Sequence, residues 1–275
     1  MARESTLLYR KDGHLPRVRI EATRSPAPTR RSWVGLAVAA CLVGHPIAMS
    51  AQVELPEHEA ATVRWWQPLL VLGEVAALML LDEPIARFVQ DNRSATLDDL
   101  ATGVRQMGQP EFYLTVTGGV LAAGLISGDS RVTRAGGRLA ATLALTGGLT
   151  RLGKLVVGRD RPLERMDDAF SFDPFSGGSR AFPSGHTSMA FALATSLSEE
   201  IRRPWATAAL YTGAGLVAWS RMNDNKHWLS DVAAGAMLGV FTAKVVNGSW
   251  RIFHIRPPGV AVAPSGVSLA WNVEF

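Results

Sequence analysis

The chain has 275 residues, of which 47% are hydrophobic and 19% charged, so it is long enough for a sizeable core and not a largely disordered protein. Its one cysteine, Cys41, excludes an internal disulfide framework and a multi-cysteine metal site. Residues 1–31 carry a net charge of +5 and the remainder a net charge of −1, so the basic pI does not indicate a nucleic-acid-binding surface on the folded body.

An uncharged run, Ser32 to Val53, follows the basic N-terminal segment and ends in small residues. This order is typical of an export signal, with cleavage expected just before Ala51 or Gln52. An uncleaved anchor helix and a lipid attachment site at Cys41 are the alternatives. We therefore predict a basic leader with a signal or anchor at residues 1–51 and a linker at residues 52–64.

Six apolar segments without strict alternation follow, and each is predicted to form a helix. They are Trp65–Leu81, Phe112–Ile126, Leu139–Leu152, Thr187–Leu197, Trp205–Trp219 and Val232–Val246. A further amphipathic helix is predicted over Leu97–Met107, capped by Ser94 or Thr96. The expected fold is all-α, a bundle of about six core helices over residues 65–256, with residues 257–275 as a short extended or hairpin tail.

The uncharged runs are shorter than the roughly 20 residues of a perpendicular membrane span, which leaves a soluble periplasmic protein possible. The arginines favour a membrane, because they fall in connections on one side of an alternating bundle, as the positive-inside rule requires. They are Arg131, Arg134, Arg138, Arg202, Arg203, Arg251 and Arg256. We predict a bundle embedded in a bacterial-type inner membrane, with these arginines in the cytoplasm and the opposite end in the periplasm.

Three short segments concentrate side chains that can do chemistry: KLVVGRDRP at 154–162, FPSGHTS at 182–188 and SRMNDNKHWLSD at 220–231. They fall at the end of the third predicted core helix, the start of the fourth, the end of the fifth and the start of the sixth. In an up-and-down bundle these four helix ends meet at one side. The topology alone therefore predicts that the three segments form one site.

The residue types of this site suit an oxyanion such as phosphate. The guanidiniums of Arg161 and Arg221 can each bind phosphate through two hydrogen bonds, and Lys154 adds a compact positive charge. Ser184 and Gly185 begin a helix and can offer backbone N–H groups at the positive end of its dipole. We predict that these five residues bind the phosphate group.

Two histidines suit covalent and acid–base catalysis. His227 and Asp231 are four residues apart and so share a helical face, where Asp231 can accept the Nδ1 proton and leave Nε2 free as a nucleophile. His186, on another helix, is placed to protonate a leaving oxygen. No cluster of carboxylates gathers beside the motifs to hold a metal. The cations must therefore stabilise the negative charge that develops on the phosphate. Asp224 and Lys226 are predicted only to rim the mouth of the site.

The pattern Lys-x6-Arg-Pro, Pro-Ser-Gly-His and Ser-Arg-x5-His-x3-Asp, with its spacings intact, resembles the type 2 phosphatidic acid phosphatase superfamily, which includes vanadium haloperoxidases. The resemblance implies a helical fold, catalysis without a metal and a phosphohistidine intermediate. It implies that His227 is the nucleophile, Asp231 its orienting partner and His186 the general acid. It also implies a phosphate clamp of Lys154, Arg161 and Arg221, helped by Ser184 and Gly185. Arg159 lies outside the pattern.

The expected function is a phosphatase that acts on phosphate monoesters or diphosphates, above all of lipids, with the membrane as partner, no nucleic acid and no cofactor. A soluble periplasmic acid phosphatase of broad specificity is the first alternative. A haloperoxidase, in which the same clamp would hold vanadate, is the second, and a catalytically silent membrane scaffold or transport subunit is the third. Phosphatidic acid, phosphatidylglycerol phosphate, undecaprenyl diphosphate and lipid A are all compatible substrates.

Overall fold

The computed structural model describes residues 61–177, 180–252, 259–263 and 266–270. Over these ranges the chain forms eight α-helices and four short strands. They are β1 Ala61–Val63, α1 Gln67–Met79, α2 Asp82–Asp91, α3 Ala95–Arg105, α4 Pro110–Ser127, α5 Ser130–Val157, α6 Gly185–Ile201, α7 Pro204–Asn223, α8 Leu229–Val246, β2 Trp250–Ile252, β3 Gly259–Ala263 and β4 Gly266–Ala270. The predicted leader, residues 52–60 of the predicted linker and parts of the tail lie outside the described residues.

The all-α prediction is confirmed, since the six predicted core helices correspond to α1, α4, α5, α6, α7 and α8. The predicted amphipathic helix is α3, and its cap is Ser94, whose hydroxyl accepts a hydrogen bond from the Leu97 N–H at 3.3 Å. The predicted tail hairpin is also present, because β3 pairs antiparallel with β4. The local sequence signals therefore place most of the helices.

One helix, α2, is absent from the sequence prediction. Its signals are an acidic first turn, Asp82 and Glu83, followed by Pro84, which helices accept at this position. Apolar residues then recur at helical spacing, at Ile85, Phe88 and Val89. This short helix follows the apolar segment that forms α1, and it brings Asp82 into the interior of the protein, where it is fully buried.

Helix α5 extends beyond the predicted segment at both ends and reaches 28 residues, or about 42 Å. Asp129 caps its start, because its carboxylate accepts a hydrogen bond from the Arg131 N–H at 2.8 Å. Arg131, Arg134 and Arg138 therefore lie in the first three turns of α5. The prediction that they occupy a connection between helices is wrong, although they do lie at one end of the bundle.

The helix directions follow from close backbone contacts at glycines. Gly124 of α4 packs against Thr133 of α5, and Gly136 packs against Leu121, so α4 and α5 run antiparallel. Gly239 of α8 packs so closely on α6 that a Cβ there would lie 2.3 Å from the Ser188 carbonyl oxygen. Small residues allow helices to approach in this way.

The end of the bundle remote from the start of α6, here called the distal end, contains Glu199, the C-terminus of α8 and the strand pair β1–β2. Glu199 accepts hydrogen bonds from Lys244 Nζ at 2.6 Å, from Asn247 Nδ2 at 2.7 Å and from Ser249 Oγ at 2.7 Å. Strand β1 pairs in parallel with β2, directly after Ser249. The chain therefore enters α1 and leaves α8 at the same end.

Large apolar side chains are exposed on the outward faces of several helices. Leu72 of α1 is 62% exposed, Leu114 of α4 64% and Ile126 of α4 87%. An apolar surface of this kind marks contact with lipid or with another protein. By length and composition, one described helix, α8, could cross a membrane, and 39% of it is buried against the rest of the bundle.

Candidate active site

The eight predicted site residues come together at the end of the bundle opposite the distal end. The Ser184 N–H donates to the Asp231 carbonyl oxygen at 2.9 Å, which joins the starts of α6 and α8. A Cβ placed on Gly185 would lie 3.9 Å from Lys154 Cε, which brings the end of α5 to the same point. The remaining members, Arg161, His186, Arg221 and His227, lie within electrostatic range of Lys154 or of one another.

His227 lies in the short connection between α7 and α8 and is only 5% exposed. Burial lowers the pKa of its imidazole from 6.5 to about 4; the nearby Asp231 carboxylate opposes this shift, and the positive charges of Lys154 and Arg221 reinforce it. The side chain is therefore neutral at pH 7. A neutral imidazole has a free lone pair, which is the form needed for nucleophilic attack.

The hydrogen bond predicted between His227 and Asp231 is not formed in this structure. Nδ1 of His227 lies 3.6 Å from Oδ2 of Asp231, beyond hydrogen-bond distance. The same Oδ2 accepts a hydrogen bond from the backbone N–H of Trp228 at 2.8 Å. Asp231 therefore holds the backbone next to His227 and lies close to its ring.

His186 is the second residue of α6 and packs against the turn that follows α3. Gly108 ends that turn, and a Cβ there would lie 3.0 Å from His186 Cδ2 and 2.8 Å from Val217 Cγ1. Only a residue without a side chain fits at this contact. The wall behind His186 is therefore built partly by the turn after α3, which the motifs do not include.

The cations of the predicted clamp have partners within the protein. Lys154 Nζ donates to the Arg180 carbonyl oxygen at 2.6 Å. Arg221, which is buried, donates from Nη1 to Asp224 Oδ2 at 2.8 Å. Asp224 also lies 3.5 Å from Arg105 Nη1. The prediction that Asp224 only rims the site is therefore wrong, because it partly neutralises the clamp.

The expectation for Ser184 needs a similar correction. Its N–H, predicted to face the anion, donates to the Asp231 carbonyl oxygen, and its hydroxyl lies 2.9 Å from the hydroxyl of Thr187. Ser184 is fully buried and joins α6 to α8. Gly185 is the first residue of α6 and so lies at the positive end of the helix dipole, as predicted.

Arg159, which lies outside the motif pattern, is fully buried beside the site. Its Nη1 donates to Asp231 Oδ1 at 2.9 Å and to Ser230 Oγ at 2.7 Å, and its Nε donates to the Ala169 carbonyl oxygen at 2.8 Å. Its guanidinium carbon lies 5.3 Å from the centre of the buried Trp228 ring. Arg159 therefore fixes Asp231 from behind.

Asp82 is the second residue that the motifs do not reveal. Its Oδ1 accepts a hydrogen bond from the Ser230 N–H at 2.8 Å, and its Oδ2 lies 2.7 Å from Arg159 Nη2. The first N–H groups of a helix have no partner within it, so Asp82 caps the start of α8 from another helix. The acidic first turn of α2 is the only sequence signal that marks this residue.

The described part of the site is cationic. Within residues 61–177, 180–252 and the two tail strands, no group of three or more His, Cys, Asp and Glu side chains could hold a metal ion. The side chains that converge are instead Lys154, Arg161 and Arg221 with two histidines. Such a set binds an anion and stabilises charge that develops on it.

Comparison with known proteins identifies the family. Residues 135–253, which contain all eight predicted site residues, match the PAP2 superfamily. This region belongs to the PAP2 superfamily. Asp82, Arg105 and Gly108 lie before the matched PAP2 region, so the network behind Asp231 and the wall behind His186 are built partly from outside it.

Similar proteins with names come from bacteria. A lipid A 1-phosphatase from Porphyromonas gingivalis is 38% identical over 110 residues, which is 39% of this chain. The matched segment spans only 22% of that relative. The crystal structure of LpxE from Aquifex aeolicus superposes with a TM-score of 0.50 at 25% identity and covers 61% of this chain and 94% of LpxE.

A second solved structure shares the fold. It is a transmembrane PAP2-type phosphatidylglycerolphosphate phosphatase from Bacillus subtilis, with a TM-score of 0.53 at 22% identity. The superposition covers 66% of this chain and 95% of that one. The described helices therefore share the fold of this solved structure.

Proposed function

We propose that the protein is a membrane-embedded phosphatase that removes phosphate from a phosphorylated lipid through a phosphohistidine at His227. The observation that carries this proposal is the convergence of a buried, neutral His227 with His186 and three cations at one end of the PAP2 bundle. The identity to a relative named lipid A 1-phosphatase supports a lipid substrate.

In the first step, the Nε2 lone pair of His227 attacks the phosphorus atom, and the bond from phosphorus to the ester oxygen breaks. His186, which is neutral in the empty site, takes up a proton when the negative phosphate binds beside it and gives that proton to the leaving oxygen, so the lipid departs as an alcohol. Lys154, Arg161 and Arg221 stabilise the negative charge on the three remaining oxygens. In its phosphorylated form the His227 ring carries a proton on Nδ1, which the nearby Asp231 carboxylate can accept in a hydrogen bond.

In the second step, water attacks the phosphorus of the phosphohistidine. His186, now neutral, takes a proton from this water, and the bond between phosphorus and Nε2 breaks. Inorganic phosphate leaves, and both histidines return to their starting forms. The proposed mechanism needs one nucleophile and one acid–base group, and the positions of His227 before α8 and His186 in the first turn of α6 support these two roles.

The membrane location rests on the exposed apolar surface and on the family. Trp66 at the start of α1 and Trp205 at the start of α7 are exposed at the distal end, as aromatic residues are at a membrane interface. Arg202 and Arg203 lie in the connection at the same end. The positive-inside rule therefore supports a cytoplasmic distal end, with His227 on the periplasmic side.

We also propose that catalysis needs no metal cofactor. The three cations supply the positive charge that a metal would supply in other phosphatases. Under this proposal a chelator leaves turnover unchanged. Loss of activity in EDTA and its recovery on adding magnesium would contradict it.

The test is release of inorganic phosphate by the purified full chain in detergent, with and without EDTA. The substrates are phosphatidic acid, phosphatidylglycerol phosphate, undecaprenyl diphosphate, lipid A and 4-nitrophenyl phosphate. We expect a lipid to be the best substrate and His227→Ala to be inactive. The control is Asp167→Asn, which removes an exposed ion pair with Arg87 and should keep full activity.

Each other result has a defined meaning. Equal turnover of all water-soluble phosphates, with extraction of the protein from membranes by carbonate alone, would indicate a soluble periplasmic acid phosphatase. Oxidation of bromide by peroxide after addition of vanadate, without phosphate release, would indicate a haloperoxidase. No phosphate release from any substrate would reject the proposed function.

A further inference from the structure

Asp82, Arg159 and Asp231 form a continuous buried network behind the nucleophile. Arg159 lies between the two carboxylates, with Nη2 2.7 Å from Asp82 Oδ2 and Nη1 2.9 Å from Asp231 Oδ1. All three side chains are 0% exposed. The network joins three parts of the chain: the start of α2, the loop after α5 and the start of α8.

Burial of these charges is costly. An arginine between two carboxylates leaves one negative charge without a full counterpart, and a buried ion pair often contributes less stability than a well-packed apolar cluster. Both carboxylates and Nη1 of Arg159 nonetheless bind residues at the start of α8. Asp82 binds the Ser230 N–H, Ser230 Oγ binds Arg159, and Asp231 binds the Trp228 N–H.

The network therefore acts on the two features of His227 that matter for attack. It fixes the backbone on either side of Trp228, the residue that follows His227, and so sets the direction of the imidazole. It also holds Asp231 Oδ2 3.6 Å from His227 Nδ1. The extra negative charge of the network favours the positively charged ring that forms during phosphoryl transfer.

We propose that Asp82 is a positioning residue for the nucleophile His227, acting through Arg159 and Asp231. This inference rests on the phosphohistidine mechanism proposed above. Asp82 lies outside the matched PAP2 region and touches neither the phosphate clamp nor His186 through any contact seen in the described part of the chain. It should thus affect the rate of phosphoryl transfer and leave substrate binding unchanged.

The experiment uses Asp82→Asn, which keeps the shape and one acceptor but removes the charge. Rates are measured with 4-nitrophenyl phosphate and with phosphatidic acid in detergent micelles, per active site, from the burst of nitrophenolate. We expect kcat to fall about 10-fold or more, while KM stays within about 2-fold of wild type. A fall in melting temperature alone, with kcat per active site unchanged, would show a purely structural role.

A double-mutant cycle separates action through Asp231 from general damage. If Asp82 acts through Asp231, then Asp82→Asn should slow an Asp231→Asn enzyme far less than it slows the wild type. Additive losses would overturn the proposal. If Asp82→Asn does not fold, Ser230→Ala takes its place in the same cycle, since it removes hydrogen bonds to both Asp82 and Arg159 without removing a charge from the network.

Wild-type and His227→Ala enzymes separate this inference from the proposed function. An active wild type, an inactive His227→Ala variant and an unaffected Asp82→Asn variant would reject the role of Asp82 alone. An inactive wild type on both substrates would reject the proposed function, and the role of Asp82 with it. Asp167→Asn serves as the matched control, because it breaks a surface contact between α2 and the loop 158–184.

Discussion

Oδ2 of Asp231 lies 3.6 Å from Nδ1 of His227 while it accepts a hydrogen bond of 2.8 Å from the Trp228 backbone. The carboxylate is thus anchored first to the main chain and second to the imidazole. A shift of less than about 1 Å would bring Nδ1 within hydrogen-bond distance. The pair is therefore arranged to tighten when His227 gains positive charge, and this arrangement distinguishes His227 from His186.

Replacing each of the two histidines should impair a different part of phosphoenzyme formation. His227→Ala should abolish any acid-labile phosphoenzyme, because it removes the attacking nitrogen. His186→Ala should slow phosphoenzyme formation on the order of 100-fold with a lipid alcohol as leaving group, and much less with 4-nitrophenyl phosphate, which needs no proton. Quenched-flow trapping of the phosphoenzyme measures both. A phosphohistidine trapped in His227→Ala would disprove the assignment.

The low pKa of His227 makes the stability of the protein depend on pH. The folded protein holds this group neutral down to about pH 4, whereas the unfolded chain protonates it near pH 6.5. The unfolded state therefore binds more protons between these values, and the free energy of unfolding should fall as pH drops from 6.5 to 4, by on the order of 3 kcal/mol from this group. Above pH 6.5 its contribution is constant.

Denaturant titrations of the detergent-solubilised protein at several pH values measure this dependence. His227→Asn is the comparison, since it removes the titrating group and keeps a polar side chain of similar size. The difference in free energy of unfolding between the two proteins should be independent of pH above pH 6.5 and should change as the pH falls below 6.5. Parallel curves for both proteins across pH 4 to 7 would show that His227 titrates normally.

Asp224 should compete with the substrate for Arg221. Its Oδ2 lies 2.8 Å from Arg221 Nη1, and the Nε of Arg221 is buried without a hydrogen-bond partner among the described residues. Asp224→Asn should raise the positive potential of the clamp and tighten binding of inorganic phosphate, with an inhibition constant several-fold lower than that of the wild type. Competitive inhibition by phosphate measures it, and weaker inhibition would contradict the expected direction.

Gly239→Ala should loosen the packing of α8 on α6. The added Cβ would lie 2.3 Å from the Ser188 carbonyl oxygen and 2.8 Å from the Ala192 nitrogen, so α8 must move away from α6. We expect a loss of about 1–3 kcal/mol in stability and reduced kcat, measured by thermal unfolding and turnover. Gly215→Ala is the matched control, because nothing lies within 4 Å of its Cβ position. Equal effects of the two substitutions would refute the packing argument.

The orientation in the membrane can be tested by cysteine labelling in a Cys41→Ser background. Ser176→Cys, in the exposed loop beside the site, should react with an impermeant maleimide added from the periplasmic side. Arg134→Cys, near the start of α5, should react only after the membrane is permeabilised. Labelling of residue 134 with protection of residue 176 would reverse the proposed orientation.

The sequence predicted the site residues because each motif is short and the alternation of helices brings the helix ends together. It did not predict the role of Arg159, because its partners Asp82 and Asp231 lie 77 and 72 positions away. No local spacing records such contacts. The role of the Ser184 N–H was mispredicted for the same reason, since the carbonyl group that accepts its hydrogen bond lies on another helix. The convergence of the three motifs is readable from the sequence, and the hydrogen-bond partners that distant segments supply are not.

Because β1 pairs with β2, the chain enters and leaves the bundle on the same side. Membrane crossings then obey a parity rule: an even number of crossings separates residue 61 from residue 252. In the proposed orientation both strands therefore lie on the cytoplasmic side, and a reporter fused directly before residue 61 should be cytoplasmic.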